Sequence, residues 1–258
     1  MQEVSHRWSL FLGGHDLEMV EIGQLLAGRS DVEVHDHRLA WGAKASAYRN
    51  EMCAALKRGR SVAIIELPDD LPADIPRDRI IWIDHHGALA GADRPTSLEQ
   101  IFELLEFPAE QWTRDRMLIA ANDRGHIRGL KDAGATEAEI RDIRARDRAA
   151  QGISPLEEEQ GREAASRAES HCGGRLLVIR LPHTRTATVT DIMPDTENLV
   201  VFGPGQTVFF GSGHCIEALR RAYPEGWFGG ELPARGYWGI GRAIEQAAIL
   251  PIVEDAIL

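Results

Sequence analysis

An acid and two histidines stand in a row at Asp84-His85-His86, directly after an apolar run at residues 80–83. The run predicts a strand covered on both faces, as in a parallel sheet. Ligands and metals gather at the carboxyl ends of strands in open α/β sheets. A polar turn is the alternative interpretation, but burying an acid and two imidazoles without partners is costly. The three residues therefore predict a functional site.

Acidic residues also follow other predicted buried segments. Asp16 and Glu18 come shortly after "WSLFL", Glu66 follows "SVAII", and Asp123 follows "MLIAAN" and precedes Arg124. If these segments end side by side, their carboxylates and the histidines form one cluster of hard oxygen and imidazole ligands. Such a cluster suits Mn²⁺ or Mg²⁺. A pair of these ions can activate a water and neutralise a phosphoryl oxyanion.

The elements that would position these side chains alternate between strand and helix in the first half of the chain. This alternation predicts βαβ units and a parallel sheet, so the fold class is α/β. We expect an N-terminal domain over residues 1–130 and a charged helical connector over residues 131–173. A smaller α+β domain over residues 174–258 begins with the predicted strands "RLLVIRL", "TATVTDI", "NLVVFG" and "TVFFG".

Two local predictions concern helix boundaries near the expected site. Ser97 is predicted to cap the helix "SLEQIFELLEF", because Glu99 or Gln100 stands close enough to complete a capping box. The segment "DRMLIAANDRG" is predicted to begin as a helix or a buried segment and to break at Asn122-Asp123.

Composition limits the classes of partner. The chain has 258 residues, a hydrophobic share of 43% and a formal net charge of -11. This charge argues against a general nucleic-acid surface and against duplex DNA, but it permits a small phosphorylated substrate. Cys53, Cys172 and Cys215 are too few and scattered for a disulfide framework, which favours the cytoplasm. No apolar run reaches membrane-spanning length, so no membrane partner is expected.

The motif "IDHHG", with an acid ending an earlier predicted strand and an acid-x-acid turn near the N-terminus, resembles the DHH phosphoesterase superfamily. That superfamily includes single-strand exonucleases, phosphodiesterases of nanoRNA and cyclic dinucleotides, exopolyphosphatases and manganese-dependent pyrophosphatases. The resemblance implies a metal-binding N-terminal α/β domain and a substrate-binding C-terminal domain. It covers nearly the whole chain in layout, and its specific part is the DHH tripeptide.

The resemblance also implies roles for the acids. Asp16 and Glu18 match the acid pair of the family's first motif, and Glu66 matches the bridging acid of the second. His85 matches the metal-binding first histidine of the third motif, and Asp123 matches the acid of the fourth. These residues are the implied metal ligands.

Other implied roles concern catalysis and substrate. Asp84 would support His85, and His86 would lie beside the substrate phosphate. In the family, an arginine and a GGGH stretch of the C-terminal domain hold the substrate. Two segments compete for that role here, namely "GSGH" at 211–214 with His214 and "GGELPARGYWG" at 229–239 with Arg235 and Gly236. Arg124 would add positive charge for the substrate.

The chain departs from the family pattern near the first motif. Gly14 stands where many members have a histidine, and His15 follows one place late. Glu18 and Glu66 stand where aspartate is usual. The site is therefore expected to hold one or two Mn²⁺ or Mg²⁺ ions, with His15 or His35 as substitutes for the missing histidine.

Two functions follow as hypotheses. The first is a metal-dependent phosphoesterase that hydrolyses a small phosphodiester, a nucleotide or a short single-stranded oligonucleotide. The alternative is a catalytically degenerate module of the same fold that senses a nucleotide or binds a partner. The substrate and the oligomeric state, including a homodimer, stay open.

Overall fold

The computed structural model describes residues 7–90 and 94–258. The chain forms two compact units. The first unit contains the described residues up to His85 together with Pro95–Asp123. The second unit contains the described residues of 86–94 together with Arg124–Leu258.

The first unit is built on a parallel sheet of four strands in the order β2-β1-β3-β4. The strands are β1 (Trp8–Phe11), β2 (Val32–His35), β3 (Ser61–Ile65) and β4 (Ile80–Ile83). The helices are α1 (Leu17–Leu26), α2 (Arg49–Lys57), α3 (Ser97–Leu104) and the first part of α4 (Arg114–Asp132). The α/β prediction is confirmed.

The core of this sheet lies against α2. Tyr48 and Met52 are fully buried with Phe11, Val62 and Ile64 from β1 and β3. β3 is buried from Val62 to Ile65, which fits a central strand of a parallel sheet. This packing fixes the ends of β3 and β4, where the predicted site residues stand.

The second unit is built on a mixed sheet of six strands in the order β5-β6-β7-β8-β10-β9. Its strands are β5 (Glu169–His171), β6 (Leu176–Arg180), β7 (Asn198–Gly203), β8 (Gln206–Ser212), β9 (Trp227–Gly229) and β10 (Arg235–Ile240). β6 and β7 are parallel, and the other neighbouring pairs are antiparallel. The helices are the rest of α4, α5 (Glu137–Ala150), α6 (Pro155–Ser166), α7 (Ala187–Thr190), α8 (Gly213–Ala222) and α9 (Gln246–Ile257).

Both faces of the six-stranded sheet are covered. Along β7, Val200 and Phe202 pack with residues of α8 and α9, whereas Leu199 and Val201 pack with Val189 of α7. Successive side chains of a strand point to opposite faces, so this alternation gives the sheet a core on each side. The wholly apolar run "LVVF" in β7 follows from that double burial.

One predicted strand is wrong. "TATVTDI" forms the short helix α7 instead of a strand. Its threonines and valine favour strands by propensity, but packing decides the conformation of short segments. Ala187, Thr188 and Val189 are all buried in a single helical turn, with the Val189 amide donating to the Thr186 carbonyl.

The helix that begins in "DRMLIAANDRG" does break, but at His126 (φ 56°, ψ -142°) and not at the predicted Asn122-Asp123. α4 consists of two helical stretches that meet at this kink. "MLIAAN" is therefore helical, and Asp123 lies inside a helix rather than at a strand end. A short apolar run fits a buried helix and a buried strand equally well, so the sequence left the type of this segment open.

α4 spans 19 residues and carries charged side chains along its length. Within residues 7–90 and 94–258, no helix is long and apolar enough to cross a membrane.

Candidate metal centre

The ends of β3 and β4 bring Glu66 close to His85. Glu66 directly follows β3, and its backbone amide donates to the carbonyl of Ile83 at the end of β4 (2.9 Å). Glu66 has φ 53°, in the left-handed region that non-glycine residues seldom adopt. Such conformations cluster at functional sites, where the surrounding structure holds them in place.

Glu66, His85 and Asp123 form a compact cluster in the first unit. The Nε2 atom of His85 lies 3.2 Å from Oε1 of Glu66 and 2.6 Å from Oδ2 of Asp123. One potential ligand atom from each residue lies within 4.8 Å of the other two. The side chains of His85, Glu66 and Asp123 are only 7%, 6% and 11% exposed. The structure therefore brings together three of the predicted ligands.

The charges in this cluster favour a cation. Burial alone lowers the pKa of His85, but the carboxylates of Asp123 and Glu66 raise it to about 12. Without a metal ion, His85 is therefore protonated and supplies the positive charge between the two acids. A divalent ion would take the place of that proton and bind the neutral imidazole.

Glu18 belongs to the same electrostatic environment. Its pKa is raised well above the usual value by burial and by repulsion from Asp123 and Glu66. Oε1 of Glu18 accepts a hydrogen bond from the Leu98 amide (2.9 Å). Its Oε2 atom is buried and has no hydrogen-bond partner among the described residues. A cation bound here would offset the repulsion between the carboxylates and would give Oε2 of Glu18 a partner.

These observations fit a divalent metal ion. Carboxylate oxygens mixed with one imidazole nitrogen suit Mn²⁺ or Mg²⁺. The residues that could hold the ion are Glu66, His85 and Asp123, with Glu18 beside them.

The N-terminus of α3 holds two of these acids. Ser97 donates its hydroxyl to Oε1 of Glu66 (2.7 Å), and the Leu98 amide binds Glu18. The prediction that Ser97 caps α3 is wrong, because Thr96 is the N-cap and forms a capping box with Glu99. Since Thr96 satisfies the helix end, the hydroxyl of the fully buried Ser97 is available to Glu66.

α3 also contacts the strand end that carries the histidines. The Nε2 group of Gln100 donates to the carbonyl of Asp84 (3.2 Å). The sequence placed Ser97 and Gln100 at a helix start but gave no sign that they face the acids. The signal that could have found them is two hydrogen-bonding side chains in the first turn of the helix after the DHH tripeptide.

Other predicted residues near the N-terminus lie in different surroundings. Asp16 is the N-cap of α1, and its Oδ1 accepts from the Met19 amide (2.9 Å). Nδ1 of His15 lies 3.7 Å from Oδ2 of Asp36, and the His35 ring stacks on Phe11 at 4.5 Å. Within the described part of the chain, the close ligand cluster includes none of Asp16, His15 and His35. Their roles as ligands stay predictions.

In the second unit, His86 lies beside the glycine-rich segment 229–239. The rings of His86 and Tyr237 are 6.3 Å apart, and a Cβ atom on Gly229 would approach Cδ2 of His86 to 3.1 Å. The competing segment 211–214 adjoins the same place, because Gly211 pairs with Gly236 between β8 and β10. The two segments that the sequence presents as alternatives are thus neighbours in one sheet.

The residues predicted to bind substrate have distinct environments. The guanidinium of Arg235 donates to the carbonyls of Glu197 (2.6 Å) and Thr196 (2.7 Å), and burial lowers its pKa. His214 is exposed in the first turn of α8, and Arg124 is half-buried in α4. Their contacts with a substrate stay predictions.

Gly236 is required by the sheet itself. A Cβ atom at Gly236 would lie 2.0 Å from the carbonyl oxygen of Gly229. The glycine therefore permits the close pairing of β9 with β10, and its predicted contact with substrate is a separate role that stays a prediction.

No family model and no curated protein matches the chain. Several solved structures are similar to it, and three of them share 14–15% identity with it over 98% of the chain. These three are RecJ from Thermus thermophilus in complex with Mn²⁺ (TM-score 0.48), the same protein with Mg²⁺ (0.43), and exonuclease RecJ bound to manganese (0.42). The chain spans about half of the two Thermus structures, at 52% and 50%, and 90% of the third.

Proposed function

We propose that this protein is a divergent member of the DHH phosphoesterase superfamily that hydrolyses a small phosphodiester or a short oligonucleotide with a metal-activated water. The observation that carries the proposal is the buried cluster in which His85 of the motif "IDHHG" lies against Glu66 and Asp123. The buried carboxyl group of Glu18 supports it, because repulsion from Asp123 and Glu66 helps to raise its pKa and a bound cation would offset that repulsion.

Glu66, His85 and Asp123 would hold one or two ions, with Glu18 completing the set. The ions to test first are Mn²⁺ and Mg²⁺, which suit this mixture of ligands. When bound, such an ion polarises a phosphoryl oxygen and lowers the pKa of a bound water. The Ser97 hydroxyl and the Leu98 amide would keep the carboxylates of Glu66 and Glu18 oriented.

Other residues of the chain would act on the substrate. His86 would donate a proton to the departing oxygen, and Asp84 would support the adjacent His85. Positive charge for the phosphate would come from Arg124, His214 and Arg235. Gly236, beside Arg235 at the start of β10, would let the backbone approach the phosphate closely. These roles come from the resemblance in "IDHHG" and from the placement of glycine-rich strands beside His86.

The substrate is proposed to be small. The formal net charge of -11 disfavours a long polyanion, because duplex binding depends on a broad basic surface. A dinucleotide or a short single strand needs only local positive charge. The cysteines are free, which is consistent with a reducing, cytoplasmic setting.

A second candidate is a module that binds metal or nucleotide without hydrolysis. The observation that favours it is the position of Asp16, whose carboxylate caps α1. If Asp16 does not also bind metal, the acid pair of the first motif is reduced to Glu18.

A panel of substrates separates the two candidates. Purified protein with Mn²⁺ would be assayed on dinucleotides, cyclic dinucleotides, pyrophosphate and phosphoadenosine phosphate, and its metal content would be measured. We expect the wild type to hydrolyse at least one phosphodiester and His85→Ala to lose this activity. The control is His171→Ala, at a residue in β5 of the second unit, and it should keep the activity. Metal binding without turnover of any of these compounds would favour the second candidate. Unchanged turnover in His85→Ala would contradict the role of His85.

A further inference from the structure

The second unit contains a cavity that is separate from the metal centre. Its volume is 460 Å³, within the range of sites for small organic ligands. α5 and α6 form much of its wall, and Ile127 of α4 and the segment around α7 contribute the rest. Apolar side chains, including Ile140 and Ile192, form one part of the lining, and Ile192 is 47% exposed.

Arginines dominate the polar lining. Arg141, Arg144 and Arg148 lie on one face of α5, at the spacing of three, four and seven residues that keeps side chains together on a helix. Arg162 of α6 joins them. The acidic residues in the lining are Glu158 and Asp191. Two further acids, Asp147 and Glu159, pair with Arg144 and Arg162 without lining the cavity themselves.

Two of the arginines are fixed by the acids. Arg144 is 5% exposed and donates to Asp147 (2.7 Å) and to Asp191 (2.7 Å). Arg148 binds Asp191 and donates to Glu158 (3.0 Å). His126, at the kink of α4, lies 3.0 Å from Asp191. These ion pairs neutralise the acids and engage the guanidinium groups of Arg144 and Arg148.

Arg141 and Arg162 are the lining arginines that are available to bind a ligand. Within the described ranges, no hydrogen bond or ion pair engages the guanidinium of Arg141, which is exposed. Among the residues that the structure describes, Arg162 pairs only with Glu159, and the two side chains are 54% and 69% exposed. Exposed pairs of this kind contribute little and exchange readily for a better partner. Guanidinium groups bind phosphate oxygens with charge-assisted hydrogen bonds.

We propose that this cavity binds an organic phosphate. Arg141 and Arg162, on adjacent helices, bind oxygens of the phosphate group, and Ile140 and Ile192 contact the apolar body of the ligand. The proposal is independent of the metal centre, because it uses neither Glu66, His85 nor Asp123.

Calorimetric titration with adenosine monophosphate tests the proposal. The titration is done in excess EDTA, so that binding through divalent ions at the metal centre cannot contribute. We expect one site with a dissociation constant of about 1 mM or tighter, and weaker binding of both adenosine and inorganic phosphate. The double variant Arg141→Gln/Arg162→Gln should bind adenosine monophosphate at least about tenfold more weakly.

The control is Arg220→Gln/Arg221→Gln, which removes the same charge from two exposed arginines of α8. This variant should bind like the wild type. The proposal is overturned if adenosine monophosphate does not bind, if adenosine binds equally well, or if both double variants lose affinity equally. None of these results bears on hydrolysis at the metal centre, which is assayed with Mn²⁺ present.

Discussion

Ser97 has a role that its place in the sequence does not reveal. A serine at a helix start ordinarily caps the helix, yet here Thr96 does so and Ser97 donates to Glu66. Side chains that orient metal ligands often matter almost as much as the ligands themselves. Glu66 needs such support, because it combines a left-handed backbone with a buried carboxylate.

Replacing Ser97 should therefore lower the affinity for metal more than it lowers the stability of the fold. We expect Ser97→Ala to lower Mn²⁺ affinity by about tenfold, since loss of an orienting partner typically costs about 10–100-fold. The measurement is calorimetric titration with Mn²⁺, together with urea unfolding of the metal-free protein.

Ser46→Ala is a matched control for that variant. Ser46 also donates its hydroxyl to a carboxylate of the first unit, Asp70 (2.6 Å), but at an exposed position outside the cluster. It should leave Mn²⁺ affinity unchanged. Equal affinity in Ser97→Ala and the wild type would mean that Glu66 either does not bind metal or needs no support.

The protonation of His85 predicts how the site responds to pH. Its pKa in the folded, metal-free protein is about 12, against an ordinary value of 6.5. The folded state therefore keeps a proton that the unfolded chain releases above pH 6.5, and this stabilisation is lost progressively as pH rises from 6.5 toward 12. We expect the free energy of unfolding of the metal-free protein to fall between about pH 7 and pH 9.

The affinity for Mn²⁺ should depend on pH in the opposite direction. Because Mn²⁺ must displace the proton from His85, its affinity should rise with pH and binding should release about one proton. Titration in two buffers of different ionisation enthalpy counts that proton. His85→Gln should remove both effects, and wild-type binding without proton release would refute the assignment of His85 as a ligand.

Helices α1, α3 and α4 position most of the acids of the metal centre. Some of the residues at this centre could be predicted from the sequence, and others could not. Glu66 and His85 were found because apolar strands with a polar end are a strong signal. Asp123 was found for the wrong reason, since it lies in α4 and not at a strand end. The positions of Ser97 and Leu98 depend on how α3 packs against the sheet, which local sequence patterns do not encode.

The contribution of the N-cap residue Asp16 to the stability of α1 can be tested by substitution. Asp16→Ala should lower the free energy of unfolding by about 1 kcal/mol, because the Met19 amide loses its partner. Asp16→Ser should restore that stability, since serine is an equally good N-cap. The measurement is urea unfolding of the metal-free variants.

The same pair of variants tests the predicted second role of Asp16. If Asp16 also binds metal, Asp16→Ser will lower Mn²⁺ affinity although the helix cap is intact. A stability loss that persists in Asp16→Ser would contradict the capping account.

For the whole molecule, the α/β class and the parallel sheet of the first unit follow from the alternation of apolar strands and amphipathic helices. In the mixed sheet of the second unit, β6, β7 and β8 were predicted as strands, whereas β5, β9 and β10 were not. "TATVTDI" was wrongly predicted as a strand, because burial of one helical turn outweighs strand propensity. The arginine-lined cavity was not predicted, because the charged segment 131–173 has the composition of a solvated connector. Its buried Arg144 and Asp147 become visible only once the helices are packed.

The central claim is that the first unit binds a divalent ion between Glu66, His85 and Asp123. Anomalous diffraction at the manganese edge, from crystals of the protein grown with Mn²⁺, tests it most directly. The account predicts an anomalous peak about 2–2.5 Å from Nε2 of His85 and from carboxylate oxygens of Glu66 and Asp123. Absence of a peak there at saturating Mn²⁺, with His85 still paired to Asp123, would contradict it.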